Sequence, residues 1–175
     1  NETDQLWKQV DENNHETTDI YVVEAGSDSN NLSTHATWHA NDPESLRHGL
    51  RYSRGMNFAL SELWKENKFK NYEAFFLITN DTEFQSPHPI QDLLDVLDKH
   101  PKVGIVSPCS DQWGENNLLQ EQRVKYFWFV HNTAYMMRRN FLESIADTQS
   151  PDMYRFIFDC TNFRGYGMES EMIAK

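Results

Sequence analysis

Asp81 and Glu83 are the residues whose type and spacing point most directly to chemistry. They follow Phe75-Phe76-Leu77-Ile78-Thr79, an apolar run that reads as a buried strand, so two carboxylates meet at the carboxyl end of that strand. Oxygen donors at such an edge suit a hard cation, Mg2+ or Mn2+, which bridges the oxygens of a diphosphate. Taken alone, an acidic pair in a loop is more often solvated turn chemistry. Glu24 closes another apolar run, Ile20-Tyr21-Val22-Val23, and by residue type alone it caps a turn through Gly26-Ser27. Glu169 and Glu171 suit the solvated first turn of a helix. His131 and Asn132 fall between two strand-like runs where an acceptor can be touched, although a lone histidine is more often structural. Trp113 and Trp128 offer faces on which a sugar stacks, with core or rim packing the commoner fate of a Trp.

The bulk composition limits what these residues can serve. Sixteen basic residues stand against 27 acidic ones, a formal net charge of −11. Broad electrostatic attraction to nucleic acid or anionic lipid is therefore excluded, and any bound phosphate needs local help such as a metal ion. Cys109 and Cys160 lie far apart without a CxxC spacing, which indicates neither a zinc site nor a disulfide framework and fits free thiols in a reducing cytosol. No apolar run approaches the roughly 18 residues that span a bilayer, and the opening NETDQLWKQV lacks the features of a signal peptide. The expectation is a single soluble, cytoplasmic domain over residues 1–175.

Alternating elements must position the carboxylates. Thr3 is placed to cap a short helix carrying Leu6, Trp7 and Val10, and Asp19-Ile20-Tyr21-Val22-Val23-Glu24-Ala25 reads as the first strand. A short strand over 35–40 precedes Pro43 and one long helical segment carrying Leu46, Leu50, Met56, Leu60, Leu63 and Trp64. After the strand at 75–79, Ile90, Leu93, Leu94 and Leu97 share a helical face, and Val103-Gly104-Ile105-Val106 supplies another strand. Two further strands are predicted over 126–130 and 134–137, then a helix beginning at Arg138-Arg139 and burying Phe141, Leu142 and Ile145. Such alternation predicts an α/β fold, a mostly parallel sheet with helices on both faces.

Phe75-Phe76-Leu77-Ile78-Thr79-Asn80-Asp81-Thr82-Glu83-Phe84 resembles the acidic metal motif, often called DXD, of the family 2 glycosyltransferases. Three further segments match that family in order. Ile20-Tyr21-Val22-Val23-Glu24-Ala25-Gly26-Ser27-Asp28 looks like its strand ending in an acidic residue that contacts the nucleobase, with Glu24 replacing the more usual Asp. Arg51-Tyr52-Ser53-Arg54-Gly55-Met56-Asn57-Phe58-Ala59-Leu60 is similar to the helix beside the nucleotide, and Gly165-Tyr166-Gly167-Met168-Glu169-Ser170-Glu171-Met172-Ile173-Ala174-Lys175 resembles the motif bearing the catalytic base. The segment at 126–141 looks like the family's strand pair with a double-basic helix start.

The resemblance implies a GT-A (Rossmann-like) core that moves a sugar from a nucleoside-diphosphate sugar to an acceptor hydroxyl of a glycan or lipid-linked acceptor, with inversion. It implies Glu169 as base, Asp81 and Glu83 as ligands of Mn2+ or Mg2+, and Glu24, Ala25, Ser27, Arg54, Asn57 and Asn80 around the nucleotide. Trp128, His131 and Asn132 would then contact the acceptor. The family's first strand precedes the helix that here starts at Asn1, and it is not in this sequence, so the expectation is a domain incomplete at both ends. Those outer parts would carry any peripheral association with the inner face of the membrane. The alternatives are a sugar nucleotidyltransferase, whose Gly-rich basic loop is not visible here, and a non-catalytic sugar-nucleotide-binding module.

Overall fold

A computed structural model describes residues 1–111, 124–126, 130 and 133–161. The described chain is mixed α/β. Helix α1 (Glu2–Asp11) starts at Asn1 rather than Thr3, because the Asn1 side chain accepts the Asp4 N–H at 2.9 Å and so satisfies a first-turn donor. Strand β1 (Val23–Glu24) pairs in parallel with β2 (Trp38–His39). The single long helix expected after Pro43 is two helices, α2 (Pro43–His48) and α3 (Arg51–Lys65). Gly49 (φ 67°) and Arg51 (φ 62°) both take left-handed backbone, which stops one helix and lets the next leave at a new angle.

Strand β3 (Ala74–Ile78), helix α4 (Pro89–Lys99) and strand β4 (Ile105–Val106) follow, then β5 (Ala134–Arg138) and α5 (Arg139–Ile145). The second sheet has the order β3-β5-β4, with β5 antiparallel to both neighbours. Two of the three pairings among the described residues are thus antiparallel, where a mostly parallel sheet was expected. β3 and β4 still run in the same direction, as a β-α-β unit requires, but β5 enters between them from the opposite end. Its central place explains why Ala134, Tyr135, Met136 and Met137 are all buried.

The two faces of β3 divide the core. Phe75 and Leu77 join Leu60, Leu63, Phe69, Leu142 and Phe156 on the side of α3 and α5. Phe76 and Ile78 pack on the other side with Val10 of α1 and Ile90, Leu93 and Leu97 of α4. Helices therefore cover both faces of the β3-β5-β4 sheet, as the alternation predicts. The residues leading into β1 join the same two layers, Tyr21 the first and Ile20 the second. The Tyr21 and Tyr72 hydroxyls lie 2.6 Å apart, yet no backbone hydrogen bond among the described residues links β1 to β3.

Close packing sets two local features. A Cβ on Gly104 would meet the Phe141 ring at 2.6 Å, so the missing side chain lets α5 lie against β4. The Arg138 guanidinium donates to the carbonyls of Leu97 and Val103, which ties the end of α4 to β5. Among the described residues no helix is long and apolar enough to cross a membrane.

Candidate functional site

A cavity of about 340 Å³ opens at the carboxyl ends of β1 and β3, lined by Asn1, Glu2, Thr3, Glu24, Ser27, Asn31 and Asn80. Three elements meet there. β1 delivers Glu24, β3 delivers Asn80, and α1 contributes its first residues. Carboxyl ends of strands are where open α/β sheets bind ligands, since the loops that leave them diverge.

Glu24 is 7% exposed, and its carboxylate organises the loop that follows it. One oxygen accepts the Ser33 N–H at 2.6 Å and the other accepts the Ser27 hydroxyl at 2.7 Å. These bonds close the loop at 26–33 over the strand end, and a carboxylate with two engaged sites keeps lone pairs for a ligand. Gly26 (φ 87°) makes the tight exit possible, because a Cβ there would sit 2.3 Å from the Ser45 carbonyl. Ala25 lies inside this turn, with its carbonyl against Gly49.

Helix α1 braces the same loop. The Asn1 amide donates to Asn31 O at 2.7 Å, and Asp4 accepts from the Ser33 hydroxyl at 2.6 Å and from Thr34 N–H at 3.1 Å. The Ser33 bond holds the Asp4 carboxyl below its ordinary range. Trp7 stacks on His35 with ring centroids 3.7 Å apart, which fixes the far end of the loop.

Asp81 and Glu83 lie exposed in the loop that begins with Asn80. The Thr79 hydroxyl donates to Asp81, while Thr79 and Thr82 both reach the Thr133 carbonyl, at 3.3 and 3.2 Å. The loop is therefore anchored to the entry of β5. Among the described residues no group of three His, Cys, Asp or Glu side chains is placed to hold a metal ion. Among the described residues that line the cavity there is no Lys, Arg or His side chain.

Asp81, Glu83 and Ala25 are not among the residues that line the cavity, and the structure does not bring Arg54 and Asn57 to it. Asn57 is 0% exposed, and its amide donates to Phe158 O at 2.9 Å while its carbonyl accepts the Ile157 and Phe158 N–H groups at 3.0 and 3.1 Å. Arg54 donates to Cys160 O at 3.4 Å and lies 5.0 Å from the Tyr154 ring centroid. Both side chains serve as a clamp on residues 153–160, the segment that carries the apolar Phe156-Ile157-Phe158 into the core. Glu169, Trp113, Trp128, His131 and Asn132 lie outside the described residues.

Of the residues singled out in the sequence, Glu24, Ser27 and Asn80 line this cavity, whereas Asn1 and Asn31 of its lining and the bracing Asp4 and Ser33 carried no signal there. Their bonds join positions about thirty residues apart, and neither composition nor periodicity carries a signal of that kind. No protein-family model, curated protein or solved structure matches the chain.

Proposed function

We propose that this chain is the donor-binding core of an inverting glycosyltransferase, which takes a nucleoside-diphosphate sugar and transfers the sugar to an acceptor hydroxyl of a glycan or lipid-linked acceptor in the cytoplasm. The observation that carries the reading is convergence. Glu24, Ser27 and Asn80, singled out in segments more than fifty residues apart, line one cavity at the ends of two strands.

In this reading the nucleoside enters between the loop held by Glu24 and the end of β3, and Ser27 and Asn31 offer polar groups to its base and ribose. Among the described residues the cavity lining has no Lys, Arg or His side chain, so in this reading the diphosphate takes a cation from elsewhere. Asp81 and Glu83 fit that need, because both are exposed, hard oxygen donors on the loop beside Asn80. Mn2+ or Mg2+, when bound, offsets the negative charge that develops on the leaving diphosphate. Glu169 is assigned as the base that takes the acceptor proton, and attack opposite the leaving group inverts the anomeric centre.

The same reading joins the two sheets into one GT-A sheet. β1 and β3 run in the same direction, since Tyr21 meets Tyr72 at one end and Glu24 and Asn80 line one cavity at the other. Both strands sit between the same helical layers without touching through their backbones. A further extended segment between them would satisfy both edges and complete the sheet.

Calorimetric titration with nucleoside diphosphates, with manganese and with a chelator, tests the donor site. Micromolar binding that depends on manganese is the expected result. No binding of any nucleoside diphosphate under either condition overturns the reading.

A further inference from the structure

Helix α1 touches both walls of the donor cavity. Near its start it holds the loop after β1 through Asn1 and Asp4. Further along, it reaches the loop after β3. The Gln9 amide donates to Phe84 O at 2.7 Å, and Phe84 N–H points back at the Gln9 carbonyl at 3.5 Å, the outer limit of a hydrogen bond. A carboxamide that meets both backbone groups of one residue copies the pairing of a neighbouring strand and restrains that residue along two directions.

Phe84 is the residue directly after Glu83, and its ring packs against Phe76 at 5.6 Å between centroids. The loop at 80–83 is therefore held by β3 at one end and by Gln9 at the other. Gln9 has a firm base of its own, because the adjacent Val10 is buried among Ile90, Leu93 and Leu97.

We propose that Gln9 is a positioning residue for the cation-binding loop: it sets Asp81 and Glu83 in place before the cation arrives, without touching cation or nucleotide. The inference rests on the donor-site reading above. Two carboxylates on a loose loop must be ordered when a cation binds, and that ordering subtracts from affinity, whereas a loop fixed in advance avoids the loss. Nothing in the composition of α1 marks Gln9, since on the helix alone it is one polar residue among several.

The test is Gln9→Met, which keeps length and packing but removes both hydrogen bonds. The quantity read is the ratio of nucleoside diphosphate affinities measured with manganese and with a chelator. We expect that ratio to fall about tenfold, the scale of one or two lost hydrogen bonds, while the affinity in chelator stays at the parental value. A side chain that only supports the fold lowers the unfolding midpoint and leaves the ratio alone. Should the methionine variant fail to fold, Gln9→Asn retains the amide on a stem too short to reach Phe84, and the same fall is expected. A ratio within twofold of the parent in the folded variant overturns the role of Gln9. A parent that binds with no manganese-dependent gain overturns the cation assignment of Asp81 and Glu83, and with it this inference, whereas a parent that binds under neither condition overturns the donor-site reading. Amide exchange at Phe84 separates those failures, because its acceleration in the variant reports whether Gln9 holds the loop at all.

Discussion

Asp81 and Asn57 are polar side chains with opposite surroundings, and the contrast makes their roles testable. Asp81 is exposed and bonds within its own loop to Thr79, so removing its carboxylate disturbs little packing. Asp81→Ala is expected to abolish most of the manganese-dependent nucleotide affinity with no shift in the unfolding midpoint; equal affinity in mutant and parent contradicts the cation assignment. Asn57→Ala has the reverse expectation. It strips partners from the buried Phe158 N–H and carbonyl, and each unpaired group costs about 1–3 kcal/mol. Denaturant unfolding should show a loss of about 3 kcal/mol or more, and a loss below about 1 kcal/mol shows that the clamp is not what holds 153–160. The sequence made Asp81 a candidate through its place after a buried strand and the resemblance of its segment to an acidic metal motif. It made Asn57 misleading, since a lone Asn on an amphipathic helix looks the same whether it meets a ligand or a distant stretch of backbone. Only the fold, which brings a segment 96 or more residues away against α3, tells them apart.

At the scale of elements, α1 is the brace of the candidate site, and its grip on the loop at 33–34 depends on pH. Ser33 donates to Asp4 and holds its folded carboxyl below the ordinary value of 3.8. A group with a depressed folded pKa stabilises the structure above its unfolded pKa, and that contribution is lost as pH falls through the folded value. The Thr34 amide resonance, whose N–H bonds Asp4 directly, should therefore hold steady from neutral pH to about pH 4 and shift below it. A midpoint above about 4, or no shift at all, would show that Asp4 does not set this contact. Strand β3 was plain in the sequence from its apolar run, and helix α4 from the spacing of Ile90, Leu93, Leu94 and Leu97. The break between α2 and α3 was not, because apolar spacing continues across Gly49 while the backbone turns left-handed there. The antiparallel course of β5 was hidden for another reason: a central strand reads as continuous apolar residues whichever way it runs.

At the scale of the molecule, the described residues form two small sheets held between shared helical layers, and the edge of β3 that faces away from β5 is their most informative feature. The bonds from Thr79 N–H to Thr133 O and from Arg139 N–H to Glu73 O set the ladder phase, so Phe75 and Leu77 bond to β5 while Phe76 and Ile78 point their amides to the other edge. Hydrogen exchange should find Phe75 and Leu77 strongly protected and Phe76 and Ile78 fast in this chain; equal protection of all four shows that the edge is already paired. Layering was legible from alternation alone, whereas the division into two sheets was not, because strand spacing along the chain does not say which edges meet. The reading that joins both sheets around one donor cavity predicts a particular reaction. The decisive measurement is NMR of a panel of nucleotide sugars incubated with the protein and manganese, following both the phosphorus products and the anomeric signal. The account predicts manganese-dependent release of a nucleoside diphosphate and a sugar product of inverted configuration. Release of a nucleoside monophosphate or pyrophosphate, or no turnover of any donor, contradicts it.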